Sequence, residues 1–247
     1  MAGITVSIIS HRHRELIPAL LEELSACQSV SSVIVTRNIP EAAIAFNHDR
    51  SSWLRMIDND TPQGFGANHN QAFKQVDTEY FAVLNPDIRL SNDPFPALIR
   101  ALDEPGCQLA APAVVNPAGQ QEDSARVFPT FSGLLAKALG RDDGRIHYTP
   151  GDSCLPVPWV AGMFMLFRSE DFARLGGFDE RFYLYYEDVD LCARVAAAGG
   201  RVMLCPSVSV VHDARRESHR NLRFLRWHLA SLSRYLYRRY TGVYGRD

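Results

Sequence analysis

Residues 54–88, LRMIDNDTPQGFGANHNQAFKQVDTEYFAVLNPDI, alternate short apolar runs with a helical pattern. Leu54–Ile57 and Tyr80–Leu84 have the length and composition of strands, and a glycine-containing turn leads into a segment, Ala67–Gln75, that we predict to be helical. A strand, a helix and a second strand in this order are typical of a βαβ unit, in which the two strands are parallel.

The same alternation extends to both sides of this unit and predicts an α/β fold with a mainly parallel sheet. On the N-terminal side, Ile4–Ile9 and Val33–Val35 are strand-like, and leucines between them recur at helical spacing. On the C-terminal side we predict strands at Met163–Phe167, Arg201–Leu204 and Val208–Val211, a helix at Glu187–Ala198, and a final helix with a leucine stripe from 222 to 236.

Ligands of such sheets bind beyond the carboxyl ends of the strands, so the residues that follow each strand are the first candidates for a site. Polar groups follow four predicted strands: Ser10-His11, Thr36-Arg37-Asn38, Asp58-Asn59-Asp60 and Asn85-Pro86-Asp87. Polar loops are common, and each group taken singly is weak support for a site.

The composition is that of a globular protein, with 247 residues, 46% of them hydrophobic and 22% charged. The net charge of −2 indicates no particular partner, but the segment from His212 onward has nine arginines and three acids and carries +6, which leaves −8 for the rest. A basic segment can contact phosphates or an anionic membrane, and a solvated helix face is an equally good interpretation.

The cysteines and the hydropathy suggest a cytoplasmic protein. The five cysteines are widely spaced without a CxxC pair, which predicts neither a disulfide framework nor a zinc site. No apolar run reaches the roughly 18 residues of a membrane span, and no signal-peptide pattern is evident.

Four motifs combine residue types that carry chemistry, and each also has a purely structural interpretation. Asn85-Pro86-Asp87 can hold a divalent ion or form a turn. The glycines of GFGANHN (64–70) either let a ligand approach the start of a helix or serve only to form a tight turn. The acids of YYEDVD (185–190) can take a proton from a sugar hydroxyl or cap a helix. HDARRESHR (212–220) can bind a metal or phosphates, although a single histidine is usually structural.

Taken together, these segments resemble the family 2 inverting glycosyltransferases of the GT-A fold, and most of all the rhamnosyltransferase-like branch that builds bacterial surface polysaccharides. The resemblance is carried, in family order, by SIISH (7–11), GFGANHN (64–70), LNPDI (84–88), WVAGMFMLFRSEDFARLGGFDERFYLYYEDVDLCAR (159–194) and VVHDARRESHR (210–220).

The resemblance implies a single α/β domain of the GT-A (Rossmann-like) type with a mainly parallel central sheet and a C-terminal helix. It divides the chain into a domain over 1–220, with a nucleotide-sugar-binding half at 1–115 and an acceptor and catalytic half at 116–220, and an amphipathic, arginine-rich helix at 221–247.

The resemblance also implies roles for single residues. Asp188 is the expected general base and Glu187 its support, and Asp87 and His212 are expected to hold a divalent metal, Mg²⁺ or Mn²⁺. The expected donor-binding residues are Ser10, His11, Asn38, Gly66, Ala67, Asn70, Asn85, Arg215 and Arg216. The expected acceptor- and sugar-binding residues are Trp159, Gly162, Met163, Tyr185 and Asp190. The family's V-D-N-x-S motif is replaced by Val35-Thr36-Arg37-Asn38, which leaves the nucleobase open.

The implied function is inverting transfer of rhamnose or a similar hexose to a glycan hydroxyl in O-antigen or other surface-polysaccharide assembly. The expected partners are a dTDP- or UDP-sugar and a lipid-linked acceptor at the inner face of the membrane, with peripheral membrane contact and no nucleic acid; a homodimer is compatible with the leucine stripe. A non-catalytic sugar-nucleotide binder stays open as an alternative. A sugar nucleotidyltransferase is disfavoured because no glycine follows the first strand in Ser10–Arg14.

Overall fold

The computed structural model describes residues 3–44, 46, 52–141, 143–213 and 222–245. The strands of the described part are β1 (Ile4–Ser10), β2 (Val30–Arg37), β3 (Leu54–Asp58), β4 (Tyr80–Leu84), β5 (Ile88–Arg89), β6 (Cys107–Val115), β7 (Ala125–Arg126), β8 (Leu155–Val157), β9 (Trp159–Val160), β10 (Phe164–Arg168) and β11 (Arg201–His212). Its helices are α1 (Ile17–Ser25), α2 (Phe65–Phe73), α3 (Phe95–Leu102), α4 (Phe131–Ala138), α5 (Ser169–Arg174), α6 (Glu187–Ala197) and α7 (Leu222–Tyr240).

A central sheet of nine strands has the order β3-β2-β1-β4-β10-β6-β11-β5, with β8 paired to β11. Strands β1 to β4 are mutually parallel, and β10 reverses direction between β4 and β6, so that β6 and β11 again run with β1. Six of the nine strands therefore point the same way, and the prediction of a mainly parallel sheet is confirmed. The carboxyl ends of these six strands lie along one edge.

Two apolar layers cover the sheet because its central strands are apolar on both faces. All five residues of β4 are buried. Ala82 and Leu84 belong to the cluster that contains the apolar residues of α1 and α3, whereas Phe81 and Val83 belong to the cluster that contains those of α5 and α6. Continuous apolar runs such as YFAVL are typical of strands buried between two layers of helices.

The structure departs from the predicted elements in three places. The two strands predicted between 201 and 211 form one strand, β11, with a register shift between Cys205 and Ser209 where it pairs with β6. Helix α2 begins at Phe65, two residues earlier than predicted. The region from 95 to 138, for which no element was predicted, contains α3, β6, β7 and α4.

The expectation that the cysteines form no disulfide is wrong for one pair. Cys154 and Cys205 are joined in a disulfide. The antiparallel register of β8 on β11 sets Leu155 opposite Leu204, and the next pair in that register is Cys154 and Cys205. This proximity comes from strand pairing across 51 residues, which the spacing of the cysteines does not indicate. The remaining cysteines, Cys27, Cys107 and Cys192, are buried thiols.

Helix α7 packs on the body of the molecule. Tyr235 and Leu236 are buried in a cluster with Phe182 and two residues of α6, Val189 and Ala193. The predicted division of the chain at 115 and 220 stays a prediction, and the structure adds that the last helix contacts α6. Within the described ranges, no helix is long and apolar enough to cross a membrane.

Candidate active site

A carboxylate and an imidazole meet at the carboxyl-terminal edge of the sheet. Asp87 follows β4 and precedes β5, and the antiparallel pairing of β5 with β11 sets Ile88 opposite His212. The Asp87 Oδ2 atom lies 3.2 Å from the His212 Nε2 atom. The main chain supports this arrangement, because Asp213 N donates to the Asp87 carbonyl oxygen over 3.0 Å.

The chemistry of this pair suits a divalent cation. Asp87 Oδ1 and His212 Nδ1 are buried and have no hydrogen-bond partner among the described residues. Carboxylate oxygen and imidazole nitrogen are both ligands of Mn²⁺, and carboxylate oxygen is a ligand of Mg²⁺. In the part of the chain that the structure describes, no group of three or more His, Cys, Asp or Glu residues could hold a metal. An ion with only these protein ligands would need oxygens from phosphate and water, the usual situation for Mg²⁺ in nucleotide sites.

The electrostatics of His212 also reflect this pairing. Burial lowers its pKa, and the hydrogen bond with Asp87 and that carboxylate's charge raise it, with a net pKa above the ordinary 6.5. Without a cation, the imidazole therefore tends to carry a proton that neutralises Asp87.

A second carboxylate lies at the start of α6. Asp188 is partly exposed, and it accepts hydrogen bonds from Gly162 N at 3.0 Å and from Val189 N at 2.8 Å. Burial raises its pKa and these backbone donors lower it, and the net effect is a pKa above the ordinary 3.8. A carboxylate with a raised pKa is a stronger base while it stays largely ionised at neutral pH.

The neighbouring carboxyl group of Glu187 is in a different state. Glu187 is 5% exposed, and its Oε2 atom has no hydrogen-bond partner among the described residues. Burial, and next the charge of Asp188, raise the pKa of Glu187 well above its ordinary value. Burial thus favours the neutral form of Glu187, whereas Asp188 is partly exposed and its carboxylate is held by two backbone donors.

A strained turn precedes these two acids. Tyr185 and Tyr186 have φ angles of 68° and 66°, in the left-handed region that bulky residues rarely adopt. Helix α7 supports the turn: the His228 ring lies 5.4 Å from both tyrosine rings, and Ser231 Oγ donates to Leu184 O over 2.9 Å. The last helix of the described chain therefore helps to place Asp188.

The two halves of the site are connected through residues 162 and 163. Asn85 N, directly before the Pro86-Asp87 step, donates to Met163 O over 2.9 Å, and Gly162 N donates to Asp188. A Cβ atom on Gly162 would lie 3.1 Å from the Phe65 ring, so this position has room only for a small residue. The structure thus brings together the predicted residues Asn85, Asp87, Gly162, Met163 and Asp188.

Trp159 and Tyr185, both predicted to bind the acceptor or the sugar, are partly exposed. Trp159 lies on β9, is partly exposed, and donates its indole N–H to Val127 O over 2.9 Å. Trp159 can therefore contact a sugar through its ring and not through its N–H group, which is already bonded. Tyr185 is also partly exposed and lies three residues before Asp188.

The predicted donor-side residues of β1 and β2 also lie together. Asn38 N donates to Ser10 O over 2.8 Å, and the Asn38 amide lies 3.3 Å from the His11 ring nitrogen Nδ1. Glu41, which the sequence analysis missed, accepts from Ser10 Oγ at 2.9 Å and from Arg12 N at 2.7 Å. No motif marks Glu41, because only the fold of the loop after β2 brings it back to the end of β1.

The Asn38 side chain serves mainly to hold the neighbouring loop. Its Oδ1 atom accepts from Asn59 Nδ2 at 2.9 Å and from Gln63 N at 2.8 Å, and its Nδ2 atom donates to Gln63 O at 2.9 Å. Asn38 and Ser10 are both buried, whereas His11 is exposed. Of these three predicted donor-binding side chains, His11 is the most accessible to a nucleotide.

Gly66 and Asn70, whose donor-binding roles stay predictions, both contact Phe178 in the structure. A Cβ atom on Gly66 would lie 2.5 Å from Phe178 Cβ, so this glycine permits packing of α2 on the loop at 178. Asn70, one helical turn later, binds the main chain of Phe178: its Nδ2 atom donates to Phe178 O over 2.8 Å, and its Oδ1 atom accepts from Phe178 N at 2.9 Å. Gly66 is buried, whereas Ala67 and Asn70 are partly exposed.

Asp190, predicted to bind the acceptor, lies in a buried ion-pair network, and its acceptor role stays a prediction. Asp190 is fully buried, and its carboxylate contacts Arg194, Arg238 and Tyr244. Two residues along an α-helix correspond to about 200° of rotation, so Asp190 points away from the face that carries Asp188. Arg215 and Arg216, predicted to contact the diphosphate, lie outside the described residues.

The sheet with Asp87 at a strand end and Asp188 at the start of α6 is the arrangement of a glycosyltransferase, and comparison with known proteins shows that family. The model of the family described as glycosyltransferase like family 2 matches residues 39–241, and the chain belongs to this family. The rhamnosyltransferase WbbL of Escherichia coli (strain K12) is 31% identical over 95% of this chain and 92% of its own length.

Two further relatives extend the comparison. An N-acetylglucosaminyl-diphospho-decaprenol L-rhamnosyltransferase of Mycobacterium tuberculosis is 28% identical over 75% of this chain and 66% of its own length. Among solved structures, the mannosyltransferase PcManGT from Pyrobaculum calidifontis, in complex with GDP-Man and Mn²⁺, superposes with a TM-score of 0.64 at 16% identity. That match covers 96% of this chain and 64% of the other, and it supports the GT-A fold alone.

Proposed function

We propose that this glycosyltransferase moves rhamnose or a similar hexose, with inversion, from a nucleoside diphosphate to a hydroxyl group of a lipid-linked glycan. The proposed donor is a dTDP- or UDP-sugar, and the proposed setting is the assembly of a cell-surface polysaccharide at the cytoplasmic face of the membrane. The two rhamnosyltransferase relatives, one of which acts on a diphospho-decaprenol substrate by its name, support the sugar and the acceptor class.

The observation that carries the proposal is the connection between Asp188 and the pair of Asp87 and His212. Gly162 N contacts the Asp188 carboxylate, and Met163 O, the next residue along, contacts Asn85. A proton acceptor is thus connected by short main-chain bonds to a group suited to the leaving diphosphate. An inverting displacement needs both functions on opposite sides of one reacting carbon.

Asp188 is the proposed general base. Its free oxygen lone pairs accept the proton of the acceptor hydroxyl while that oxygen forms a bond to the anomeric carbon of the donor. The bond between the anomeric carbon and the diphosphate oxygen breaks in the same step, and its electron pair leaves with the nucleoside diphosphate. Attack from the face opposite the leaving group inverts the anomeric centre. Proton removal of this kind contributes roughly 10²–10⁴-fold in rate.

Asp87 and His212 are the proposed protein ligands of a Mg²⁺ or Mn²⁺ ion. When bound, such an ion supplies positive charge to the diphosphate oxygens as the leaving group forms. Asp87 contributes an oxygen with no other partner in the described structure, and His212 contributes a buried nitrogen. Mn²⁺ is present in the solved complexes of two neighbours of this fold, the mannosyltransferase PcManGT and GalNAc-T7.

Calorimetric titration with dTDP, UDP, GDP and CDP, each with and without Mn²⁺, tests this proposal directly. We expect one nucleotide to bind with an affinity that rises at least about tenfold with the metal, because the ion bridges phosphate oxygens and the protein. The transfer step is then measured with the sugar derivative of that nucleotide. A folded protein that binds none of the four would favour a non-catalytic role.

A further inference from the structure

Helix α4 exposes a row of large apolar side chains. Phe131, Leu135 and Leu139 recur every four residues and are 61%, 62% and 59% exposed. Residues at this spacing lie on one side of a helix, so the row forms a continuous stripe. No residue of α4 is buried.

The N-terminal half of α7 exposes a similar row. Leu222, Leu225 and Leu229 are 79%, 53% and 52% exposed, and their spacing of three and four residues places them on one side of the helix. The buried residues of α7, Ser231, Tyr235 and Leu236, lie in its second half.

The two rows lie on neighbouring helices. The Phe131 ring stacks on the Tyr240 ring with centroids 4.9 Å apart, and Phe131 N donates to Tyr240 Oη over 3.2 Å. Burial and, after it, the charge of Lys137 lower the pKa of His228. Lys137, at the end of α4, therefore lies near the middle of α7. The helices are therefore antiparallel, and we call the six side chains of the two rows the docking face: Phe131, Leu135, Leu139, Leu222, Leu225 and Leu229.

Within the two segments that carry the docking face all charges are positive, and the next described acid along the chain, Asp143, is paired with Arg145. The segments 131–141 and 222–245 contain no aspartate or glutamate. Exposed basic residues occur on both helices or next to them: Lys137 and Arg141 on one side, Arg223 and Arg226 on the other. Exposed leucine and phenylalanine with basic neighbours and no acids are the composition of helices that lie in the surface of an anionic bilayer.

We propose that the docking face binds an anionic membrane surface, with α4 and α7 lying along it. This inference rests on the proposed function, since it explains how a lipid-linked acceptor would reach Asp188. Helix α7 contacts the turn directly before Asp188 through His228 and Ser231, so its docking would hold that turn near the lipid.

This surface differs from the one that the sequence of the C-terminal segment suggests. In the sequence, aromatic residues alternate with arginines over residues 227–240, and this pattern predicts that the segment contacts a membrane. In the structure Tyr235 is buried, Arg238 is paired with buried carboxylates, and Trp227 packs on Tyr183. Tyr237 and Tyr240 of this segment stay exposed, at 69% and 55%, and the exposed leucines of α7 and the row on α4 add apolar surface that the aromatic pattern does not indicate.

The charges also decide between a membrane and a second copy of the chain as the occupant. A symmetric dimer through the docking face would bring Lys137, Arg141, Arg223 and Arg226 of one copy against the same residues of the other. Like charges opposed at close range disfavour association, whereas anionic headgroups complement them.

Vesicle co-sedimentation tests the proposal without any need for catalysis. The full chain is mixed with vesicles of phosphatidylcholine alone and of phosphatidylcholine with roughly one third phosphatidylglycerol. We expect binding to the anionic vesicles, and a decrease of at least about tenfold in the partition coefficient for the double variants Leu225→Glu/Leu229→Glu and Leu135→Glu/Leu139→Glu. Reversal of two charges, Lys137→Glu/Arg226→Glu, should weaken binding in the same direction.

The matched control is Met56→Glu, which places the same charge on a 40% exposed apolar residue of β3 at the far edge of the sheet. This control should bind vesicles like the wild type, and all variants should keep their circular dichroism and nucleotide affinity. The proposal would be overturned if the wild type did not bind anionic vesicles, or if the glutamate variants bound them with the partition coefficient of the wild type. If the wild type is a dimer and the glutamate variants are monomers that still bind vesicles, the docking face would be assigned to a second copy of the chain instead. Intact vesicle binding without sugar transfer would count against the proposed function and leave the docking face standing.

Discussion

Arg238 of α7 places its Nη1 atom 2.7 Å from Oδ1 of Asp190 on α6, and the side chains are only 13% and 0% exposed. Asp179 also contacts this guanidinium group, and the Tyr244 hydroxyl donates to Asp190. The helix that begins with Glu187 and Asp188 is thus joined to the last helix by buried charges. Changes in α7 should therefore affect both the stability of the protein and the geometry of the base.

Replacement of Arg238 by methionine should lower the free energy of unfolding by about 2 kcal/mol, because it removes the cation that Asp179 and Asp190 share and leaves them only Arg181 and Arg194. The measurement is urea unfolding followed by circular dichroism. Arg226→Met is the control, since Arg226 is exposed on the same helix and should change stability by less than about 0.5 kcal/mol. Equal stability of the two variants would mean that the Arg238 contacts contribute nothing.

The two adjacent acids should respond very differently to amide substitution. Asp188→Asn should lower kcat by roughly 10²–10⁴-fold with little change in nucleotide affinity, because it removes the proton acceptor. Glu187→Gln should keep most of the activity, because burial favours the neutral form of Glu187 and the amide has the same shape as the neutral acid. Steady-state kinetics and nucleotide titration of both variants decide this, and the opposite ranking would assign the base to Glu187.

The pH dependence of kcat should report the same carboxylate. Because burial holds the pKa of Asp188 above the ordinary 3.8, activity should decrease on the acidic side at a higher pH than a free aspartate would require. The profile is measured with saturating donor and acceptor, and with nucleotide affinity followed in parallel. A kcat that stays constant down to the ordinary pKa of aspartate would contradict this assignment.

His69 should make the protein sensitive to acid. Its ring is buried, it bonds Ser7 Oγ through Nδ1 at 2.8 Å, and burial lowers its pKa from 6.5 to about 3. Below pH 6.5 the imidazole of His69 binds a proton in the unfolded chain but not in the folded protein. The free energy of unfolding should therefore decrease by up to about 1.4 kcal/mol per pH unit as the pH falls from 6.5 to about 3.

The comparison that isolates this effect is His69→Gln. The variant loses ring contacts with Phe65 and is expected to be less stable at pH 7, but its stability should depend less on pH between 6.5 and 4. Unfolding curves at several pH values give both slopes. Parallel curves for wild type and variant would show that His69 is not the titrating group.

Asp87 and His212 should be needed for the metal-dependent part of nucleotide binding. Asp87→Asn and His212→Gln should each reduce nucleotide affinity in the presence of Mn²⁺ by about tenfold or more, a range known for changes around metal ligands, and leave metal-free affinity nearly unchanged. Asp213→Asn, at the exposed next residue, is the control and should bind like the wild type. Equal affinities for all three variants would remove the pair from the donor site.

The sequence by itself determined that the sheet is mainly parallel and which polar residues follow its predicted strands. Strands such as β4 are read from continuous apolar runs, because a strand covered on both faces has no polar positions. The polar residues that follow strands are predicted to lie at one edge because parallel strands end there. For this reason Asp87 was placed correctly at the end of β4. Asp188 was identified from the aromatic and acidic residues around it, and the family resemblance supplied its role as the base.

Only the tertiary structure decided how neighbouring residues of one motif are used. Asp188 and Asp190 look equivalent in the sequence, yet helix rotation buries Asp190 against Arg238 and leaves Asp188 on the accessible side. Gly66 and Asn70 turn toward Phe178, the cysteines 154 and 205 meet through strand register, and Phe131 of α4 stacks on Tyr240 of α7. Each of these outcomes depends on contacts between segments far apart in the chain, and local periodicity carries no information about them.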